Sequence, residues 1–257
     1  MGTPRLKILW LGYKENTILD FFGARGYNLL VTDNKISLGE IKDFSPDWIV
    51  SYGYRHIVRA PVIEEYRNRI INLHISYIPW NRGVSPNLWS FLDDTPKGIT
   101  IHYLAEGIDT GDILSQKEVT LGEDETLATS YTKLRQEIET LFIDVWPLIA
   151  DETITPQKQD LTIGSYHTLA ETNEIIARLK IDDWNMSVKE LITRKTDDQI
   201  IGEIQEIRSR NNTHWMDVVR LAFKLAPEEA RSIFKKIKHC DADINGLLNQ
   251  LADNDME

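Results

Sequence analysis

The first 150 residues alternate between short apolar runs and segments with helical spacing. Apolar runs of strand length occupy residues 7–13, 27–33, 47–53 and 70–76, and helix-like segments separate them. Two further strand-like segments, GITIHYL and DILSQKEVTL, precede a long amphipathic stretch at 126–150. Strands that alternate with helices are typical of α/β domains. The pattern therefore predicts a Rossmann-like, mostly parallel sheet flanked by helices over residues 1–150.

Two helix starts can be read from capping residues. Ser37 is followed three residues later by Glu40, which is the spacing of a capping box. Ser85 stands before Pro86, a residue that suits the first turn of a helix. We therefore predict that Ser37 and Ser85 each cap a helix.

The pattern changes after residue 150, and residues 151–257 form a second predicted region. Residues 153–167 are rich in turn formers, and the remainder is largely helical in pattern. One helix carries an apolar stripe, and the next carries a seam with heptad spacing: Trp215, Val218, Val219, Ala222 and Phe223, then Ile233, Ile237, Cys240, Ile244, Leu247 and Leu251. We predict a connecting segment and a helical C-terminal extension that packs on its own domain. A homodimer through the seam is the alternative.

Composition narrows the classes of partner. The chain has 257 residues and a net charge of -11, from 40 Asp and Glu against 29 Lys and Arg, so nucleic acid is not an expected partner. No stretch reaches the roughly 20 apolar residues of a membrane span, and no signal peptide is apparent. With Cys240 as its single cysteine, the chain has no disulfide framework. The sequence predicts a cytoplasmic protein without membrane partners.

Common cofactor motifs do not occur in the predicted sheet. The segment after the first strand reads LGYKEN, where a dinucleotide-binding protein carries G-x-G-x-x-G, and no phosphate-binding P-loop motif is present. The six histidines lie at positions 56, 74, 102, 167, 214 and 239, without the spacing of a metal site. We therefore expect no metal.

The fourth predicted strand carries polar residues at every second position. In IINLHIS, Asn72, His74 and Ser76 project to one side of the strand. Open α/β sheets bind ligands beyond the carboxyl ends of their strands. An amide can donate to a developing oxyanion, and an imidazole can transfer a proton near neutral pH. The pattern favours nucleophilic attack on a carbonyl, although a histidine in a strand can also be purely structural.

A carboxylate is the missing component of this chemistry. The segment EGIDTGD offers Asp109 and Asp112, and Asp109 lies between Gly107 and Gly111, which permit a tight turn. We therefore predict that Asp109 folds back to orient His74.

Two motifs in this order resemble a known family. The run N-L-H-I-S-Y-I-P-W-N-R-G, followed by G-I-T-I-H-Y-L-A-E-G-I-D-T-G-D-I-L, resembles the catalytic core of the folate-dependent formyltransferases, and the resemblance covers roughly residues 7–150. The loop WNRG and the segment PNLWSF are most similar to the nucleotide-sugar N-formyltransferases. The resemblance implies formyl transfer from 10-formyltetrahydrofolate to the amine of a nucleotide-linked amino-dideoxy sugar, in surface glycan biosynthesis. It also implies that Asn72, His74 and Asp109 are catalytic.

The resemblance further implies two sets of binding residues. The donor would lie between the segment after the third strand and the loop before the aspartate, at Ser51, Tyr52, Gly53, Tyr54, Leu104, Gly107 and Ile108. The nucleotide-linked sugar would contact Ser76, Trp80, Asn81, Arg82, Asn87, Trp89, Tyr166 and His167.

Other functions share parts of this pattern. Methionyl-tRNA formyltransferase would carry a basic C-terminal β-barrel, whereas the C-terminal pattern here is helical. Formyltetrahydrofolate hydrolase would share the three catalytic residues but carry a regulatory domain that we do not find. A catalytically silent scaffold that binds a partner through its C-terminal helices is the non-enzymatic alternative.

Overall fold

The computed structural model describes residues 5–122, 124–195 and 197–238. It contains a six-stranded sheet, whose strands are β1 (Lys7–Gly12), β2 (Asn28–Thr32), β3 (Trp48–Tyr52), β4 (Ile70–His74), β6 (Gly98–Tyr103) and β7 (Ile113–Glu118). Their order across the sheet is β2-β1-β3-β4-β6-β7. Neighbours among the first four are parallel, whereas β6 runs antiparallel to both β4 and β7. The predicted Rossmann-like α/β fold with C-terminal helices is confirmed.

Helices cover the sheet in the order that the sequence predicts. In the first part of the chain they are α1 (Thr17–Ala24), α2 (Leu38–Phe44), α3 (Ala60–Glu65), α4 (Pro86–Leu92) and α5 (Leu127–Ala150). Then follow α6 (Leu169–Arg178), α7 (Val188–Thr193) and α8 (Asp197–Leu225). A short two-stranded sheet pairs β5 (Arg82–Gly83) with β8 (Tyr166–His167).

The sheet is buried on both faces, because alternate side chains of β1 enter two different apolar clusters. Ile8 and Trp10 belong to the larger cluster, which α5 completes through residues spaced by three or four, among them Leu134, Ile138, Phe142, Trp146 and Ile149. Leu9 and Leu11 belong to the cluster on the opposite face. Burial on both faces explains why these strands are continuous apolar runs.

The two predicted caps have different outcomes. Ser37 and Glu40 form the reciprocal capping box of α2, with Ser37 N donating to Glu40 Oε2 over 2.8 Å. Ser85 precedes α4, but its side chain makes no capping hydrogen bond and its φ is 53°. The prediction for Ser85 was wrong because a left-handed residue does not have the extended backbone that directs a cap side chain at the helix.

The chain divides into two compact units, Met1–Arg194 and Lys195–Glu257. The predicted boundary after residue 150 therefore lies inside the first unit. A strand-like bridge between Ile113 and Gln157 is one contact that ties the connecting segment to the sheet. A smaller apolar cluster joins α4, α5, α6 and α7 through Leu88, Leu127, Leu179 and Leu191.

The described residues of the second unit are helical, over α8 and residues 227–238. Phe223 and Phe234 bring these two helices together, with ring centroids 5.5 Å apart. Cys240, Ile244, Leu247 and Leu251 of the predicted seam lie outside the described residues, so self-association through the seam stays a prediction. Within the described helices, no segment is long and apolar enough to cross a bilayer.

Candidate active site

The carboxyl end of β4 holds two of the predicted catalytic side chains. Asn72 and His74 share one face of the strand, and His74 is buried. Ile71 and Leu73, their neighbours in the chain, belong to the main apolar cluster. The core therefore fixes the strand on which both polar residues stand.

Asp109 reaches the same place from the loop between β6 and β7. Its backbone is left-handed, with φ at 53°, and its carboxyl group is buried. Asp109 Oδ1 accepts from Asn72 Nδ2 over 3.2 Å, and Oδ2 accepts from the backbone N–H of Gly83 over 2.9 Å. His74 Nδ1 lies 3.6 Å from Oδ2. The structure thus brings the three predicted catalytic residues together.

A second histidine, His102, belongs to the same cluster and was not predicted. The antiparallel register places His102 directly opposite Asn72, so the two side chains share a face. His102 Nε2 lies 3.2 Å from Asn72 Nδ2 and 3.6 Å from Asp109 Oδ1. The sequence signal was a histidine within the predicted strand GITIHYL, but its partner depends on the register.

Backbone carbonyls determine the tautomers of both rings. A carbonyl oxygen only accepts, so His74 Nε2 donates to Asn81 O over 3.2 Å and His102 Nδ1 donates to Tyr103 O over 2.8 Å. In the neutral rings, the lone pair of His74 therefore lies on Nδ1, facing Asp109. Nε2 of His102 accepts from Asn72, so Asn72 Nδ2 is bonded to both Asp109 and His102. Its predicted oxyanion role requires the exchange of one of these bonds for the substrate oxygen.

The surroundings of Asp109 and His74 lower the pKa of both side chains. Burial raises the pKa of Asp109, but the two imidazoles and the N–H of Gly83 lower it by more, so this pKa lies well below its usual value. Burial lowers the pKa of His74 below its usual value, although the Asp109 carboxylate opposes this change. The site therefore holds an ionised carboxylate beside a neutral imidazole that can take a proton through Nδ1.

The connecting segment supports the aspartate loop. Gln159 Nε2 donates to the backbone oxygens of Asp109 and Gly111, over 3.0 Å and 2.5 Å. The pairing of β8 with β5 holds Gly83, whose N–H binds the Asp109 carboxylate. Gln159 was not predicted, because the sequence alone does not show that residue 159 returns to this loop.

Gly111 is required by the close approach of two backbones. A Cβ atom at this position would lie 1.8 Å from the carbonyl oxygen of Tyr103. We expect Gly111→Ala to lower the free energy of unfolding by about 1–3 kcal/mol, because the loop that carries Asp109 must shift. Gly122→Ala is the matched control, since a Cβ there meets no atom within 4 Å. Thermal unfolding of both variants checks this, and equal stability of the two would contradict it.

The predicted donor residues line the ends of two segments near the site. Ser51 pairs in register with Asn72, and Leu104 N donates to Ile70 O over 2.9 Å, so both segments flank β4. Tyr52 is buried, and its hydroxyl contacts Glu139 and Arg135. Gly53 and Gly107 are left-handed, Tyr54 donates to Asn34 O, and Ile108 is exposed. The hydroxyl groups of Tyr52 and Tyr54 therefore have hydrogen-bond partners within the protein, whereas the exposed Ile108 side chain is open to a ligand.

Several predicted sugar contacts have structural partners. Ser76 Oγ donates to Trp80 O over 2.9 Å, and Asn81 is fully buried with Thr95 and Ser165 as side-chain partners. The Trp89 ring stacks on His167 at 3.8 Å and 3°. Local sequence pattern does not show these long-range neighbours, and contact of the same residues with the sugar stays a prediction.

The other predicted sugar contacts differ in how far their side chains are used by the protein itself. Arg82 is half-buried, and its Nε has no hydrogen-bond partner among the described residues. Asn87 is buried, and its Nδ2 donates to Leu127 O and Ser130 Oγ. The Tyr166 ring covers Gly83, and its side chain is partly exposed. His167 also contacts Asp93 over 2.8 Å, outside the catalytic cluster.

Comparison with known proteins identifies the family. The Formyl transferase model matches residues 30–146. The formyltransferase PseJ from Anoxybacillus kamchatkensis, solved with UDP-4,6-dideoxy-4-formamido-L-AltNAc and tetrahydrofolate, is 44% identical. Its match covers 72% of this chain and 97% of that chain, with a TM-score of 0.68. This chain belongs to the formyltransferase family.

Other formyltransferases match less completely. A 4-N formyltransferase from Francisella tularensis is 24% identical, with a TM-score of 0.57 over 74% of this chain and 87% of that chain, and shares the fold. Methionyl-tRNA formyltransferase from Bacillus licheniformis is 32% identical over 128 residues, which are 49% of this chain and 40% of that protein. The formyltransferase described here therefore spans about two fifths of that relative's length.

Within the described residues, no group of three His, Cys, Asp or Glu side chains could hold a metal ion.

Proposed function

We propose that this formyltransferase moves the formyl group of 10-formyltetrahydrofolate to the amine of a nucleotide-linked amino-dideoxy sugar. The observation that carries the proposal is the similarity to PseJ, which is 44% identical over 97% of its chain and was solved with a formylated UDP-sugar and tetrahydrofolate. A role in surface glycan biosynthesis in the cytoplasm is part of this proposal and rests on the family resemblance.

The catalytic cluster suits this chemistry. The folate supplies an activated formyl group. The sugar amine adds to the formyl carbon to give a tetrahedral oxyanion, and the bond to the folate nitrogen then breaks. His74 takes the amine proton on Nδ1, and Asp109, 3.6 Å away, stabilises the resulting imidazolium. The proton then passes to the departing nitrogen, which leaves the enzyme unchanged. Asn72 is the candidate donor to the oxyanion, once one of its two internal bonds is released.

The residues around the cluster fit the two substrates. The segments after β3 and before Asp109 carry Ile57 and Ile108 as exposed apolar side chains, which an apolar ring system would cover. Arg82 adjoins Gly83, the residue that binds Asp109, and its half-buried guanidinium makes it the candidate for a diphosphate.

Methionyl-tRNA is the second candidate acceptor, because the relative from Bacillus licheniformis is named a methionyl-tRNA formyltransferase. A net charge of -11 disfavours a polyanionic partner. The described residues of the second unit are helical and so do not form the basic β-barrel expected of that enzyme. Both observations support the sugar over the tRNA.

A direct assay separates the candidates. Purified protein is incubated with 10-formyltetrahydrofolate and UDP-, dTDP- or GDP-linked amino-dideoxy sugars, or with methionyl-tRNA, and products are examined by mass spectrometry. We expect a formyl mass gain on one nucleotide sugar. A gain on methionyl-tRNA alone would overturn the proposal, and intact folate in every mixture would favour the scaffold.

A further inference from the structure

Ser165 joins the connecting segment to the loop that follows β4. Its Oγ accepts from the backbone N–H of Asn81 over 2.9 Å and donates to Asn81 Oδ1 over 3.1 Å. Its backbone N–H donates to Pro79 O over 3.2 Å, and its carbonyl accepts from Arg82 N over 3.1 Å. One residue therefore makes four hydrogen bonds to the segment 79–82, although 84 positions of the chain separate it from Asn81.

These bonds fix the peptide group to which His74 donates. That group joins Asn81 to Arg82, and its carbonyl accepts from His74 Nε2 over 3.2 Å, while its N–H donates to Ser165 O. Asn81 is fully buried and has a left-handed backbone, with φ at 54°. Asparagine tolerates this conformation when its side chain is held by hydrogen bonds, and the Ser165 hydroxyl is one of its partners. The direction of the Asn81 carbonyl therefore depends on Ser165.

The Ser165 hydroxyl suits this position because it accepts and donates at once. The backbone N–H of Asn81 needs an acceptor and its side-chain oxygen needs a donor, and a hydroxyl supplies both from one atom. Without the hydroxyl, the N–H of Asn81 would lose this partner. An unpaired buried N–H is unfavourable, so we expect the loop to turn until the group finds another acceptor.

The carbonyl of Asn81 decides which nitrogen of His74 carries the proton. A neutral imidazole has one N–H, and the hydrogen bond made by one nitrogen sets the state of the other. With Nε2 donating to Asn81 O, Nδ1 keeps its lone pair and lies 3.6 Å from Asp109 Oδ2. An ionised carboxylate is the stronger acceptor of the two and would attract a proton onto Nδ1. Displacement of the Asn81 carbonyl therefore favours the other tautomer.

We propose that Ser165 is a positioning residue for formyl transfer, because it holds the carbonyl that keeps the proton of His74 on Nε2. The inference rests on the proposed function, in which Nδ1 of His74 takes the proton of the attacking amine. A ring that already carries its proton on Nδ1 cannot do so. Ser165 acts through Asn81 and needs no contact with either substrate.

The tautomer of His74 is the first measurement. The full chain is labelled with nitrogen-15 in its histidine rings, and proton–nitrogen correlation spectra are recorded without substrates at neutral pH, with His74→Gln to assign the signals. We expect the proton on Nε2 in the unsubstituted protein and mainly on Nδ1 in Ser165→Ala. Thr162→Ala is the matched control, because it removes a hydroxyl of the same segment that donates to Asp160, and His74 should keep its tautomer.

Kinetics give a second measurement, with 10-formyltetrahydrofolate and a UDP-linked 4-amino-4,6-dideoxy sugar. Ser165→Ala should lower kcat by about 10–100-fold and leave KM for both substrates within about twofold. Ser165→Thr keeps the hydroxyl and should restore most of the activity. Ser165→Cys fills the same space with a weak donor and acceptor, and it replaces Ser165→Ala in both measurements should that variant not fold.

An unchanged His74 tautomer in Ser165→Ala, or an equal change in Thr162→Ala, would overturn the inference. A higher KM with kcat unchanged would also overturn it, because Ser165 would then bind substrate instead of positioning the base. If the tautomer changes as expected but no amine is formylated, the proposed function fails and the positioning role stands. If Ser165→Ala formylates the sugar at the normal rate with His74 unchanged, the inference fails and the proposed function stands.

Discussion

Asp109→Asn is expected to lower kcat for formyl transfer by about 10³-fold or more. The carboxylate is the charge that stabilises a protonated His74, and a neutral amide of the same shape cannot replace it. The amide also cannot serve both donors, since Asn72 Nδ2 and Gly83 N each need an acceptor on this side chain. We therefore also expect Asp109→Asn to lower the free energy of unfolding by about 1–3 kcal/mol.

The chain offers a matched control for this variant. Asp112 lies in the same loop and was the other carboxylate that the sequence allowed. Asp112→Asn should retain activity within a few fold, because only Asp109 lies against the histidines. Single-turnover rates and thermal unfolding are compared for the two variants. Equal loss in both, or near-normal turnover by Asp109→Asn, would defeat the assigned role.

His74→Gln is expected to lower kcat by about 10²–10⁴-fold, because it removes the nitrogen that takes the amine proton. Glutamine can still donate to Asn81 O, so the chain around it should keep its conformation. Undiminished turnover by this variant, with the fold intact, would show that another group is the base.

The pH dependence of the same variant gives an independent readout. Burial lowers the pKa of His74, so this ring stays neutral at pH 7, and kcat/KM should fall as the pH drops through that lowered value. The unfolded chain binds the proton at a higher pH, near 6.5, so stability should rise with pH between the two values. His74→Gln should abolish this part of both profiles, as measured by activity and unfolding from about pH 5 to pH 8. An unchanged acid limb in the variant would assign the titration to a different group.

Several predicted sugar contacts also have partners within the protein that the sequence does not show. Trp89 and His167 stack on each other across 78 positions of the chain, and Ser165 and Thr95 bind the amide of Asn81. Contact of these residues with the sugar stays a prediction. Side chains of aromatic and polar types suit binding and packing equally, and local pattern does not show which distant neighbour arrives.

The sequence by itself determined the strands, the long helix that ends the first 150 residues and three of the central side chains. Strand alternation placed Asn72 and His74 on one face, and flanking glycines indicated a turn at Asp109, because these features depend on residues near in the chain. Tertiary structure alone decided that His102 completes the cluster and that Gln159 holds the aspartate loop. Each depends on strand register or on packing between distant segments, which a residue's own neighbours in sequence do not specify.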